Sequence, residues 1–407
     1  MFWFYSLSVI TIVLACTHLF IVTSPEVLSS SPHTNTHTLP TTTGINNCAC
    51  ENIYDDDIDD RFDIYPQAHT AGVTIDLSPF PTNIIAGLES QSTISMIYSA
   101  LNNIYMRSKI RGLMTSNELY AFNENLIKIL EHNSDNTSTF KMAPNKFIAY
   151  SLDAFYKKYK IREYPQKLRR SNFRPHVSTG APRNLDYRVN NVISVPRDQG
   201  PCGSCWAFAI VSSLESMYAI ERGVDAQHFS VQQLLDCSSS DNSCGGGYLD
   251  SAMEFFLKNN TEPQNWLVLE SNYREYTAKK LECKYKPQSH KHDVEYVGYY
   301  SINSGDEESV IQSLIKYGPI PVAIKVSQKL VFYDSGIFDD PNCNNGTVNH
   351  AVLLIGYGIE DGKRFWLLKN SWGIGWGERG YFRLSREIYN MCGIASNVIV
   401  PVLKLQG

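Results

Sequence analysis

Hydrophobic and polar residues are arranged along this chain in three successive ways. The first 22 residues, MFWFYSLSVITIVLACTHLFIV, contain no Lys, Arg, Asp or Glu. As a helix they would span about 33 Å, which matches a bilayer core. A cleaved signal peptide usually starts with a basic residue and has a shorter apolar stretch. The block therefore reads as either a signal peptide or a retained signal anchor. Both send the chain into the secretory pathway, where disulfides persist. No internal segment is long and apolar enough for a second span.

From Ser92 the period becomes helical. STISMIYSALNNIYMRSKIRG has apolar residues at helical spacing and stops at Gly112. Thr115, with Glu118 three residues on, resembles a capping box. It opens a helix with Leu119, Phe122, Leu126 and Ile129 on one face. A further helix begins in SCWAFAIVSSLESMYAIERG, with Trp206, Ile210, Leu214 and Met217 on one stripe and Gly223 placed to end it. Toward the C-terminus the period shortens. HAVLLIGYG, RFWLLKN, GYFRLS and NVIVPVLKL read as strands separated by glycine turns. Helices first and strands later predict an α+β fold of two facing subdomains.

Composition divides the chain further. Residues 23–47 are rich in Ser, Thr and Pro, and an acidic run follows from Asp55 to Asp60, so residues 23–91 read as a disordered linker. Cys48 and Cys50 are assigned no role. The net charge of −5 argues against a nucleic-acid partner. Asn136, Asn259 and Asn345 each begin an N-x-Ser/Thr sequon, which fits a lumenal chain. After Arg169-Arg170 and a Pro-containing linker the composition changes. The block from residue 181 onward holds seven of the ten cysteines.

Seven is an odd number in an oxidising compartment, so one cysteine should be left over, to pair between chains or to react. QGPCGSCWAF, Gln199 to Phe208, is where the choice matters. A redox CxxC pair would sit in a βαβ context, and a zinc site would need a second Cys or His pair. His290 and His292 are the only local candidates for that pair, and they read as solvated. No metal and no cofactor is implied. A nucleophile makes stricter demands. Lowering a thiol pKa from about 8.5 to about 4 takes roughly 6 kcal/mol. A helix N-terminus supplies only about 0.3–2 kcal/mol of that. An imidazolium must stand nearby, and something must orient it. His350 at the start of one strand and Asn370 at the end of another supply such a pair.

QGPCGSCWAF, NHAVLLIGYG and KNSWGIGWGERGYFRL together resemble the three catalytic blocks of the papain-like cysteine peptidases, in the right order and at the right spacing. The resemblance implies a papain-like fold with a helical left subdomain, an antiparallel β-barrel-like right subdomain and a cleft between them. It implies Cys205 as nucleophile, His350 as its ion-pair partner and general acid, Asn370 as orienter shielded by Trp372, and Gln199 as oxyanion donor. It also selects the disulfides Cys202–Cys244, Cys237–Cys283 and Cys343–Cys392, leaving Cys205 as the thiol.

Upstream, Phe122, Asn125, Ile129 and Asn133 resemble the last four positions of the cathepsin L-type propeptide helix, with Met114 and Glu118 in place of the first two. NKFIAYSLDAF resembles the segment that follows, with Ala149 where an acid is usual. Residues 92–180 are thus expected to be an inhibitory propeptide, and residues 181–407 the mature peptidase, its start falling within 170–182. The resemblance places Gly246, Gly247, Tyr248, Leu249, Ala323, Val348, Asn349, Trp372 and Asn397 at the substrate. An apolar wall favours an apolar residue two positions before the cut. The expected partners are protein and peptide substrates and the chain's own propeptide. A monomer is expected, in a lysosome, acidic vacuole or the extracellular space, with a membrane-anchored precursor if residues 1–22 are retained.

Overall fold

The structure of the protein is a computed structural model that describes residues 12–15, 18–21, 115–163, 180–239, 241–256, 267–285, 294–344 and 347–405. The chain divides into two units, Met1–Ile85 and Ala86–Gly407. In the first, β1 (Ile12–Ala15) pairs antiparallel with β2 (His18–Ile21). The apolar stretch there pairs as strands, and no helix among the described residues is long and apolar enough to cross a membrane. Most of residues 1–22, on which the signal-peptide and signal-anchor readings fall, lies outside the described residues. The expected linker 23–91, the helix of residues 92–112, Arg169-Arg170, His290, His292, Asn259 and Asn345 lie outside the described residues.

In the second unit, α1 (Ser116–Ser134) opens on the expected capping box. The Thr115 hydroxyl accepts from the Glu118 amide at 3.3 Å, and the Glu118 carboxylate accepts from the Thr115 amide at 3.0 Å. Phe122, Leu126 and Ile129 are buried along its inner face. Asn133 then fixes the next strand, β3 (Phe140–Met142), by donating to the Met142 carbonyl at 2.7 Å and accepting from its amide at 2.9 Å. Asn125 does the same for the following turn, donating to the carbonyls of Ile148 and Tyr150, each at 2.8 Å. The turn leads into α2 (Leu152–Tyr159), capped by Ser151 and ending at Lys160, whose φ of 50° is left-handed.

The central helix, α3 (Cys205–Arg222), is buried on nearly all sides. The predicted stripe of Trp206, Ile210, Leu214 and Met217 is inside, but so are Ser212, Ser213, Glu215 and Ser216. Two helices, α4 (Val231–Cys237) and α5 (Leu249–Phe256), flank it on one side, and the sheet covers the other.

The strands are β4 (Leu185–Asp186), β5 (Val294–Ser301), β6 (Ile320–Ile324), β7 (Tyr333–Phe338), β8 (His350–Glu360), β9 (Lys363–Lys369), β10 (Tyr381–Ser385) and β11 (Ile399–Leu405). Two more helices, α6 (Glu307–Tyr317) and α7 (Gln328–Val331), lie among them. The main sheet runs β3-β7-β10-β9-β8-β4, with β6 also on β8, while β5 and β11 form a separate ribbon. This corrects the expected antiparallel barrel. β7 and β10 pair in parallel, because the β8–β9 hairpin intervenes between them in sequence. The sheet is mixed and does not close on itself.

Strand β3 lies on the outer side of β7, with Phe140 opposite Gly336. Gly336 has φ 92°, and a Cβ there would stand 2.5 Å from the Thr139 carbonyl oxygen, so only glycine lets the two backbones approach this closely.

Candidate active site

The segment before α3 is pinned by the Cys202–Cys244 disulfide; Cys237–Cys283 and Cys343–Cys392 are the other two. Among the described residues Cys205 takes part in none of them. It is the first residue of α3 and is 4 % exposed. The orphan amides and positive end of the helix dipole lie at its own turn. The neighbouring Gly203 is where another segment crosses: a Cβ on it would meet the Lys160 carbonyl oxygen at 2.9 Å.

His350 and Asn370 meet because β8 and β9 form a hairpin turning at Asp361-Gly362. Its register sets Leu353 opposite Lys369 and so brings the start of β8 beside the end of β9. His350 Nε2 lies 2.8 Å from Asn370 Oδ1. The Ser371 amide donates to that same oxygen at 2.8 Å, which fixes the side-chain orientation of Asn370. His350 Nε2 therefore carries the hydrogen, and Nδ1 is left as a buried lone pair with no hydrogen-bond partner. The ring is fully buried and stacks on Trp372 at 4.8 Å. Burial pushes its pKa down to about 4, against the opposing pull of the Asn370 hydrogen bond.

Gln199 is also buried. Its side-chain oxygen accepts from the Ser371 hydroxyl at 2.7 Å, and its side-chain nitrogen donates to the Cys202 carbonyl at 2.8 Å. Ser371, which nothing in the sequence singled out, thus orients both Gln199 and Asn370.

Cys205 opens on a pocket of about 220 Å³ lined by Gly246, Gly247, Tyr248 and Asn349 on the enzyme side. Leu249, Ala323 and Val348 are buried in the cluster that contains Cys205 and are not on the pocket surface. Asn397 is buried too, and its carbonyl accepts from the Ala323 amide at 3.0 Å. The pocket is shared with Lys160, Arg162 and Glu163, which follow α2. Phe147 and Phe155 pack edge-on against Trp372 at 5.5 and 5.4 Å. Tyr156 donates to the Val326 carbonyl at 2.6 Å. The upstream segment therefore lies across the site and over the tryptophan that covers His350.

Two features escaped the sequence reading. Asp241 lines the pocket and accepts from the Tyr248 amide at 3.0 Å and from the Ser238 and Ser251 hydroxyls, holding the Gly246–Tyr248 ledge from below. Beneath the site lies a buried ionic network. Glu215 Oε1 accepts from Arg197 at 2.7 Å and from the Phe229 amide at 2.8 Å. Lys369, next to Asn370, donates to the hydroxyls of Ser194 at 2.7 Å and Ser212 at 3.3 Å. Burial alone would raise the Glu215 pKa; the Arg197 guanidinium, with His228 and Lys369, overrides it and holds the group at about 2. Burial lowers Lys369 to about 8 despite the attraction of Glu215. Among the described residues no group of three or more His, Cys, Asp and Glu side chains is placed to hold a metal ion. Asn136 is exposed.

The profile of the papain family cysteine proteases matches residues 181–402. A cathepsin L-like proteinase of Fasciola hepatica is 35 % identical over 291 residues, covering 69 % of this chain and 85 % of its own. Pro-cathepsin H of Mus musculus is 33 % identical over 328 residues, covering 77 % and 95 %. Among solved structures, a digestive procathepsin L 3 from the larval midgut of Tenebrio molitor superposes with a TM-score of 0.64 at 32 % identity, covering 77 % of this chain and all of that one. That match includes the segment lying over the cleft. With a thiol at a helix N-terminus, an oriented imidazole and a proform segment across both, the chain belongs to the papain family of cysteine proteases and is a cysteine peptidase made as a proform.

Proposed function

We propose that the protein is a cysteine endopeptidase that becomes active when its propeptide, residues 92–180, is removed to leave a chain starting within residues 170–182. The observation that carries the reading is the tautomer of His350. With Nε2–H committed to Asn370, the Nδ1 lone pair is the atom left to take a proton. In this reading it takes the proton from Cys205. The resulting ion pair supplies most of the roughly 6 kcal/mol that the helix N-terminus cannot. The Cys205 thiolate attacks the scissile carbonyl carbon, and a C–S bond forms. The oxyanion is held by the Cys205 amide and the Gln199 side-chain N–H. The C–N bond then breaks as the His350 imidazolium gives its proton to the departing amine. Water hydrolyses the thioester with His350 as base and returns the thiol.

Trp372 keeps water from the His350–Asn370 bond, and the Gly246–Gly247 ledge receives the extended substrate. Tyr248 and Asn349 line the pocket, and the buried Leu249, Ala323, Val348 and Asn397 are read as backing a site that favours an apolar residue two positions before the cut. Asn397 carries no charge, so a strong preference for Arg there is not expected. The three disulfides and the three sequons fit a chain that matures in the secretory pathway, acting as a monomer in an acidic or extracellular compartment.

The test uses the full chain beside its Cys205→Ser variant, both brought from neutral pH to about pH 5. Mass and cleavage of a fluorogenic peptide with Leu two residues before the cut are followed. The expected outcome is that only the wild type shortens and gains activity. Shortening of both would assign propeptide removal to another protease. A propeptide-cleared wild type that cleaves no peptide would defeat the endopeptidase reading.

A further inference from the structure

We propose that Lys325 is a specificity-determining residue that selects an acidic substrate side chain, and that Glu163 of the propeptide stands in for that side chain in the proform. The proposal rests on the endopeptidase reading above and adds a substrate class to it. Arg162 and Glu163 both line the pocket that holds Cys205, yet they address opposite walls. Arg162 lies over the ledge, its Cδ 4.0 Å from where a Cβ on Gly246 would stand. Glu163 reaches the other wall, its carboxylate 3.9 Å from Lys325 Nζ.

Lys325 is well placed to act on whatever replaces Glu163. It follows β6 directly. Its amide donates to the Cys392 carbonyl at 2.8 Å, and the next amide, of Val326, donates to Asn349 Oδ1 at 2.9 Å, one residue from His350. The backbone is thus fixed on both sides of it. The side chain is only 21 % exposed, so the stem is packed while the ammonium reaches Glu163, which lines the pocket. The charged groups lining the pocket are Lys160, Arg162 and Glu163, which leave with the propeptide, and Asp241, which is engaged under the ledge. Propeptide removal therefore takes away the carboxylate facing Lys325 and leaves the cation beside a pocket whose remaining charged lining residue is Asp241. A substrate carboxylate at that wall regains the pair; a substrate ammonium meets repulsion.

The experiment uses the activated protein, prepared from the full chain, with Lys325→Gln and Lys325→Glu variants. Leu-containing peptides carry Glu, Gln or Lys in turn at each position from three before to three after the cut. At one position the wild type is expected to prefer Glu over Gln by about threefold in kcat/KM, and Gln over Lys by a similar factor, as for a partly exposed ion pair. Lys325→Gln should flatten the order, Lys325→Glu should invert it, and about 0.5 M salt should shrink it. The uncharged parent peptide should be cleaved within twofold by all three proteins. The same peptides, fluorescently labelled, are ranked by binding anisotropy, which needs no turnover. If turnover is absent but Glu binds best and Lys325→Glu inverts the order, the endopeptidase reading falls and the role of Lys325 stands. If peptides are cut or bound with the same charge order in all three proteins, or with none, the role of Lys325 is overturned.

Discussion

Asn370 Oδ1 accepts two hydrogen bonds at once, from His350 Nε2 and from the Ser371 amide, each at 2.8 Å. The backbone bond decides which amide atom faces the ring, and the amide decides which ring nitrogen keeps its hydrogen. Asn370→Ala removes the second decision. The ring could then present either nitrogen to Cys205, and the productive tautomer would no longer be enforced. The expected result is a loss of about 10²-fold in kcat with KM little changed, since the substrate ledge is untouched. Steady-state kinetics on the activated variant checks this, and a comparable rise in KM would refute it.

His350 also ties the proform to pH. Burial lowers its pKa from the ordinary histidine value of about 6.5 to about 4, so between these values the closed state stays neutral while an opened chain takes up a proton. The stability this group contributes is present above about pH 6.5 and lost as pH falls through about 4, an effect of about 3 kcal/mol. The melting temperature of the Cys205→Ser proform should therefore fall between pH 6.5 and 4 more steeply than that of the Cys205→Ser, His350→Asn double variant. Parallel curves would refute it. Ala149 stands where a propeptide acid was expected, so this histidine offers an acid trigger that does not depend on one.

Glu215 should be indispensable to stability although it touches no substrate. Glu215→Ala leaves Lys369 buried without its counter-charge and Arg197 with Glu270 as its remaining carboxylate partner. Removing one partner of a buried ionic network costs about 3–5 kcal/mol. That corresponds to a drop of roughly 10 °C in melting temperature for a domain of this size. Calorimetry at neutral pH measures it directly, and a shift under about 2 °C would show that the cluster relaxes around the loss.

Gly336→Ala is expected to loosen the propeptide and, because its φ of 92° disfavours any side chain, to lower the stability of the activated protein as well. The added methyl group would meet the Thr139 carbonyl at 2.5 Å and the Phe140 Cα at 2.8 Å, both on the propeptide side. Residual activity of the proform at neutral pH should rise severalfold, and activation should be faster. Because Gly336 is not among the residues lining the Cys205 pocket, kcat/KM of the activated protein should stay within about twofold. An unchanged activation time course would count against β3 as a docking strand.

What could be read in the sequence was whatever is local. Thr115 and Glu118 are three residues apart, the α3 stripe repeats within one helix, and the β8–β9 hairpin turns tightly, so His350 and Asn370 fall together by the geometry of a single hairpin. The disulfide pairs came from family likeness, not from spacing. The remainder is long-range. Ser371 orients Gln199 from far along the chain, Lys369 meets Ser194 and Ser212, and Lys325 meets Glu163; no periodicity connects such pairs. The parallel β7–β10 pairing escaped for the same reason, since strand order follows how crossovers pack. Off the predicted stripe of α3, Ser212 and Glu215 are buried in the ionic network, while Ser213 donates to the Pro319 carbonyl at 2.6 Å; neither partner is near in sequence.

The strand β3 has one further consequence. It covers β7 from outside, with Phe140 packed on Phe338 at 4.8 Å and beside Tyr333 at 6.4 Å. Excising the propeptide strips that cover, and the newly bared strand offers unpaired backbone groups flanked by aromatic side chains, the surface on which chains stick to one another. Gain of catalysis and loss of colloidal protection are thus the same event. A concentrated store of this protein should therefore stay dispersed longer as the proform, in which β3 covers β7, than after that strand is gone.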